Sequence, residues 1–412
     1  VLPAVLRYRD LRLFMTGAGL SYMGSQFTVV AMAWQMYQLT DSPLQVGLIG
    51  LARAIPQMAC AIPGGMLADT LDRRRLMMGI QLGSFCVSSA LAALSVAGLA
   101  GPHVLLAAAV LFAMGTSVET PMRQAVVPNL VDRGHLARAL ALNNIQRNVA
   151  MIAGPGLAGV LLAAASPSEC YVVDALSWFA MLLAIFLIRR PLQSGTRGKA
   201  SVEALVAGAR FVRAQPVILS FMVLDWGAMF FGSTVALLPI YARDILLAGP
   251  MGLGALYAAP SIGALAAAAL MSTVLHVDNA GRWVLIGVAV YGACMVGFAV
   301  SHVIWLSIVM LAGTGAGNTV SAVLRGTSNQ LLTPDHLRGR VSAVNSLFSG
   351  GGPQLGQLES GVVADLWGAP VSAVSGGLAT VALVALLALL PRVRSFRFSV
   401  DAQPALAAAA VR

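Results

Sequence analysis

Four charged residues of this 412-residue chain sit inside long apolar runs: Arg53, Arg147, Asp225 and Glu359. At the centre of a bilayer each would cost on the order of 2.5–3.5 kcal/mol on insertion scales. Two acids and two bases at that cost suggest pairing across a cavity. A rise of about 1.5 Å per residue puts Arg147 and Asp225 both roughly 12 Å from one end of their runs. Arg53 and Glu359 fall in the opposite half of theirs. Desolvation favours a protonated carboxyl and a neighbouring arginine favours an ionised one, so opening such a site captures or releases a proton. Asp225 and Glu359 are therefore the candidates for a coupling proton, and Arg53 and Arg147 are their candidate charge partners and gates. The alternative is a static buried pair that only fixes the fold.

The elements that must position these residues are membrane helices. The chain is 58% hydrophobic, with a mean hydropathy of +0.82 and 42 glycines. A soluble domain could not cover so many 20-residue apolar segments. The runs are continuous and not alternating, which excludes a β-barrel. Runs broken by Gly, Pro and charge give an all-α integral membrane fold of twelve transmembrane helices in two six-helix bundles. The expected spans are 11–38, 43–67, 75–98, 102–122, 138–164, 170–189, 216–242, 251–274, 282–301, 303–324, 340–364 and 368–390. The first span is too long for a signal h-region and reads as a retained helix. The expected organisation is an N-terminal bundle over 1–190, a linker over 191–215, a C-terminal bundle over 216–391 and a tail over 392–412. Ser201 to Arg213 in the linker reads as an amphipathic helix along the membrane surface.

A net charge of +10 invites a nucleic-acid partner, but its distribution argues against one. The cations fall in groups in alternate gaps, among them Arg73 to Arg75, Arg123 to Arg138 and Arg189 to Arg213. That is the positive-inside pattern, and it places both termini in the cytoplasm. Arg123 and Arg325 read as residues at helix ends. Cys60, Cys86, Cys170 and Cys294 have no metal-ligand spacing and read as packing residues.

Polar stripes run along several spans. Asn144, Arg147, Asn148 and Met151 follow i, i+3, i+4, i+7 on one face of the fifth. Asn345, Ser349, Gly356 and Glu359 mark the eleventh, and Ser21, Ser25, Thr28 and Gln35 the first. These stripes either line a substrate path or hydrogen-bond between helices. Trp226 and Phe230 are candidates to stack on a planar ligand. Gly154-Pro155 and Gly352-Pro353 remove a backbone donor and allow bending, so they are candidate hinges. The two halves look related. Arg133 to Asn144 aligns with Asp335 to Asn345 at an offset near 201, each following an arginine and each preceding a Gly-Pro. Such a parallel repeat implies a two-bundle transporter architecture.

The densest charge lies in Gly64-Gly65-Met66-Leu67-Ala68-Asp69-Thr70-Leu71-Asp72-Arg73-Arg74-Arg75. This stretch resembles the loop between helices 2 and 3 of major facilitator superfamily transporters, roughly G-x-L-A-D-R-x-G-R-R. Leu44-Gln45-Val46-Gly47-Leu48, Asp72-Arg73-Arg74-Arg75, Ala207-Gly208-Ala209-Arg210-Phe211, Leu256-Tyr257-Ala258-Ala259 and Leu337-Arg338-Gly339-Arg340-Val341 resemble the enterobactin-exporter and macrolide-efflux group. The resemblance implies an inner-membrane exporter of a small amphipathic molecule, siderophore or drug-like, working by alternating access in exchange for protons. It also implies that Asp69 ties the halves together near Arg340 to Ser342, where a carboxylate at a helix start is favourable by roughly 0.3–1 kcal/mol.

Two departures from the family pattern weigh against proton antiport more than against export. The fourth span carries no internal arginine, since Arg123 sits at its end. The helix 5 pattern G-x-x-x-G-P-x-x-G-G is incomplete, reading Ala150, Gly154, Pro155, Ala158 and Gly159. There is no Ser–His–acid spacing, metal cluster or phosphate loop, so the expectation is a protein that is not an enzyme and uses no cofactor. The expected partners are a small-molecule substrate, protons and the lipid bilayer, with no nucleic acid, and the expected state is a monomer. The rival readings are a proton-coupled uptake symporter or lipid flippase of the same fold, and a non-transporting membrane scaffold.

Overall fold

A computed structural model describes residues 7–192, 202–273, 278–334 and 337–398, with the side chains of 61–70, 133, 202–205, 273 and 347 also outside the description. The described chain is helical, without a strand. Its helices are α1 (Arg9–Thr40), α2 (Pro43–Thr70), α3 (Arg73–Val96), α4 (Pro102–Leu130), α5 (Leu136–Ala164), α6 (Pro167–Leu187), α7 (Val202–Ala214) and α8 (Pro216–Phe231). They continue as α9 (Gly249–Thr273), α10 (Ala280–Ala299), α11 (Ile304–Leu332), α12 (Arg338–Trp367) and α13 (Ala369–Ala388). Eight of the described helices are long and apolar enough to cross a membrane.

The chain forms two compact units. One holds residues 1–45, 52–200 and 247–258, and the other 46–51, 201–246 and 259–412. In the first unit, α6 packs on α1 and α3, and α1 packs on α5 and α4. Its core gathers Leu11, Phe14, Met77, Met122, Val126 and Ile185. In the second, α10 packs on α11 and α13, and α12 packs on α8, α13 and α7. Phe221, Leu224, Val284, Val288 and Leu324 fill that core.

Local chemistry sets the helix ends. Asp72 caps α3 by accepting from the Arg75 backbone N–H at 2.8 Å. Ser166 and Glu169 form a reciprocal capping box at the start of α6, with Pro167 at its first position. Removing the box with Ser166→Ala is expected to cost about 1 kcal/mol, read as a lowered unfolding temperature in detergent.

Three expectations are corrected. The fourth and tenth spans do not stop at 122 and 324: α4 runs to Leu130 through Pro121 and Pro128, and α11 to Leu332. Arg123 and Arg325 therefore lie inside helices and not at their ends. The seventh span, expected as one helix over 216–242, breaks after Phe231. Gly232 follows, its carbonyl accepting from the Tyr291 hydroxyl at 2.5 Å, and the chain resumes as one short turn at Leu238–Ile240 and a wide turn at Tyr241–Ile245. The linker helix α7 meets α8 at a bend of 107°. Its apolar face is not spread on lipid alone: Val212 is buried with Val341 and Val344 of α12. A Cβ on Gly208 would stand 2.6 Å from the Arg340 carbonyl, so this docking requires glycine there.

Candidate functional site

Among the described residues each unit contains one buried arginine, Arg123 on α4 and Arg325 on α11. In the second unit, Arg325 of α11 is 7% exposed. Its Nη2 donates to Asp225 Oδ1 of α8 at 2.5 Å, and its Nη1 donates to Ser321 Oγ at 2.9 Å. The other Asp225 oxygen accepts from Ser349 Oγ of α12 at 2.8 Å. One carboxylate thus joins three helices. The cation that meets Asp225 is Arg325, where the sequence had suggested Arg147.

In the first unit, Arg123 of α4 is 5% exposed and Glu119 is 3% exposed. They pair one turn apart, and Gln81 Nε2 of α3 donates to the same Glu119 oxygen at 2.5 Å. Arg123 Nη2 reaches Ser21 Oγ of α1 at 2.7 Å, and its guanidinium lies 4.7 Å from the Tyr22 ring centroid. The fourth helix therefore does carry an internal arginine, where the sequence had placed Arg123 at a helix end. Arg123 reaches α1 and Arg325 reaches α8. The acid comes from the arginine's own helix in one unit and from α8 in the other.

Another buried acid was missed in the sequence. Asp174 of α6 is 1% exposed. Its Oδ2 accepts from Thr28 of α1 and Ser88 of α3, both at 2.7 Å, while Ser177 donates to its backbone carbonyl. Tyr171, one turn earlier, donates to Gln35 Oε1 at 2.7 Å. The polar stripe of α1 is thus turned largely into its own unit. Ser21, Thr28 and Gln35 bind α4 and α6, and Ser25 bonds back to the Ser21 carbonyl at 2.8 Å. Asp174→Leu is expected to strand two hydroxyls at about 1–3 kcal/mol each, whereas Asp174→Asn keeps an acceptor. Thermal unfolding of the two variants checks the difference.

The other candidates divide. Asn144, Arg147, Asn148 and Met151 form an exposed face of α5, as their spacing requires. Asn345 is partly exposed on α12. Glu359 is half-buried, with the Ser360 hydroxyl at 3.5 Å. Arg53 is partly exposed on α2 and lies within electrostatic reach of Tyr257. Trp226 stacks on Phe230 at 4.8 Å and 11°. Arg73 Nη1 donates to the Leu192 carbonyl at 3.2 Å. The Asp69 side chain lies outside the described residues.

The Gly-Pro pairs sit within unbroken helices. A Cβ on Gly154 would come 2.7 Å from Gln26 Cβ of α1, and one on Gly352 would come 3.3 Å from the Trp226 carbonyl of α8. Both glycines thus serve a close helix approach, to α1 in one unit and to α8 in the other. Among the described residues no group of three metal-ligating side chains occurs.

A family model described as transmembrane secretion effector matches residues 4–409. The chain is 27% identical over 391 residues to the multidrug efflux pump Tap of Mycolicibacterium fortuitum, covering 90% of this chain and 93% of that protein. It is 28% identical over 382 residues to the enterobactin exporter EntS of Salmonella choleraesuis, covering 89% of each. The nucleoside transporter NupG has the same fold, with a TM-score of 0.75, 11% identity and coverage of 93% of this chain and 100% of that one.

Proposed function

Because the chain belongs to the transmembrane secretion effector family of major facilitator transporters, we propose that it is a secondary active exporter of a small amphipathic molecule, siderophore or drug-like, working by alternating access. The family and its relatives are multi-pass membrane transporters and not enzymes. We place the protein in a bacterial cytoplasmic membrane, as a monomer with twelve spans, two bundles joined by the 191–215 linker, and both termini in the cytoplasm. The direction of transport rests on the relatives, Tap and EntS, which are named as an efflux pump and an exporter.

The observation that carries a coupled mechanism is the Arg325–Asp225–Ser349 junction. An ion pair with little access to water is stable only while both charges are present. A proton arriving on Asp225 removes its charge, frees Arg325 and loosens Ser349 on α12. Proton binding and helix movement then become one event, as exchange of substrate for protons requires. Glu359 is the second candidate for a proton, with Arg53 as its gating partner in another state of the cycle. Asn144, Arg147, Asn148, Asn345, Ser25 and Trp226 are the proposed cavity lining. Gly154-Pro155 and Gly352-Pro353 are the proposed hinges, and Asp69 with Arg73 the proposed gate.

The test is efflux from a pump-deleted host against a panel of siderophores and drugs, with and without a protonophore. Export that collapses with the protonophore is expected. Net accumulation inside the cell would point to a symporter instead. Asp225→Asn and Glu359→Gln assign the proton: gradient-driven export unchanged in both would leave the acids as static fold elements.

A further inference from the structure

Two adjoining cavities open on the outer side of α3. One, of about 360 Å³, is lined by Met78, Gly79, Leu82, Phe179, Leu183 and Phe186. The other, of about 460 Å³, lies towards the start of the helix, against Asp72, Arg75 and Leu76, and shares Gly79 with the first. Meeting at Gly79, they form a groove along α3 that has α6 as its second wall at the first cavity and carries Asp72 and Arg75 at its other end. From Asp72 to Leu82 it runs for ten residues of helix, roughly 15 Å. That is about half the roughly 30 Å hydrocarbon thickness, the depth of one leaflet.

The mouth carries two guanidiniums. Arg75 is exposed and lines the second cavity. Arg74 Nη2 donates to the Phe186 carbonyl at 2.6 Å, which holds its charge over the opposite wall. Among the described side chains the acid at the mouth is Asp72, which is engaged on the Arg75 backbone N–H. Gly79 keeps the groove open: a Cβ there would meet nothing within 4 Å, and the same holds at Gly83.

We propose that this groove is a binding site for an anionic bilayer phospholipid, with the phosphate of phosphatidylglycerol at Arg74 and Arg75 and one acyl chain along Gly79 between Leu82 and Phe179. Charge at the mouth selects the headgroup. The length of the groove matches a chain that reaches the bilayer midplane. The site faces outward from its unit and is independent of the exported molecule.

Native mass spectrometry of the full chain, purified in detergent and titrated with phosphatidylglycerol or phosphatidylethanolamine of the same acyl chains, tests the site. The wild type is expected to retain one phosphatidylglycerol in preference, by about fivefold for each arginine at the interface. Arg75→Gln is expected to remove about fivefold of that preference. Gly79→Leu, which fills open space and leaves the helix intact, is expected to reduce retention of both lipids while the unfolding temperature without lipid stays the same. Equal retention of the two lipids by the wild type overturns the proposal. So does phosphatidylglycerol retention that survives Gly79→Leu.

Discussion

Arg325→Gln is expected to abolish coupled transport and to lower stability by about 3–5 kcal/mol, because it leaves the Asp225 carboxylate buried without its cation. The side chains are 8% and 14% exposed, so water replaces little of what is lost. The double variant Arg325→Gln with Asp225→Asn removes both charges and is expected to recover most of the stability. It is not expected to recover transport, since the α8–α11 junction can no longer exchange a proton for its ion pair. Thermal unfolding in detergent and substrate flux in proteoliposomes, with and without a pH gradient, read the two effects separately. A double variant that still transports uphill would show the pair to be structural.

Glu119→Leu is the counterpart in the first unit. It strands Arg123 among Ser21, Tyr22 and Trp178 with no carboxylate. It also deprives Gln81 of its acceptor. The expected cost is again about 3–5 kcal/mol, seen as poor recovery of folded protein from membranes and an early unfolding transition. Arg123→Leu added to Glu119→Leu is expected to restore folding, because two apolar side chains of similar size leave no unpaired charge. If the single variant is as stable as the wild type, Arg123 is not held by Glu119 and the arrangement of the first unit is wrong.

Much of the fold was legible because apolar runs and charge groups report the bilayer directly. The family was legible in the loop from Gly64 to Arg75 and in the repeat about Arg133 and Asp335. The site was legible only in part. Asp225 stood out because the run around it is apolar on both sides. Arg123 and Arg325 were hidden by a confusion between the end of an apolar run and the end of a helix. A 29-residue helix such as α4 or α11 is about 44 Å long, well beyond the roughly 30 Å of hydrocarbon. Its last turns are polar in sequence yet still helical and still packed. The i, i+4 spacing of Glu119 and Arg123 was the available signal. Asp174 was missed although its surroundings are as apolar as those of Asp225. The stripe of α1 was seen, but its direction was not. Small polar residues suit both a wet cavity and a tight helix pair, and periodicity does not distinguish them.

The arginines at the start of α3 have one more consequence. Arg73 and Arg74 donate to the Leu192 and Phe186 carbonyls, at and beyond the end of α6. Between those two points the chain runs through α3, α4, α5 and α6. An even number of crossings returns a chain to the face from which it left, and only then can these bonds form. If any one of the four helices failed to insert, the guanidiniums and their carbonyls would be stranded on opposite faces. The contact would act as a parity check on membrane insertion.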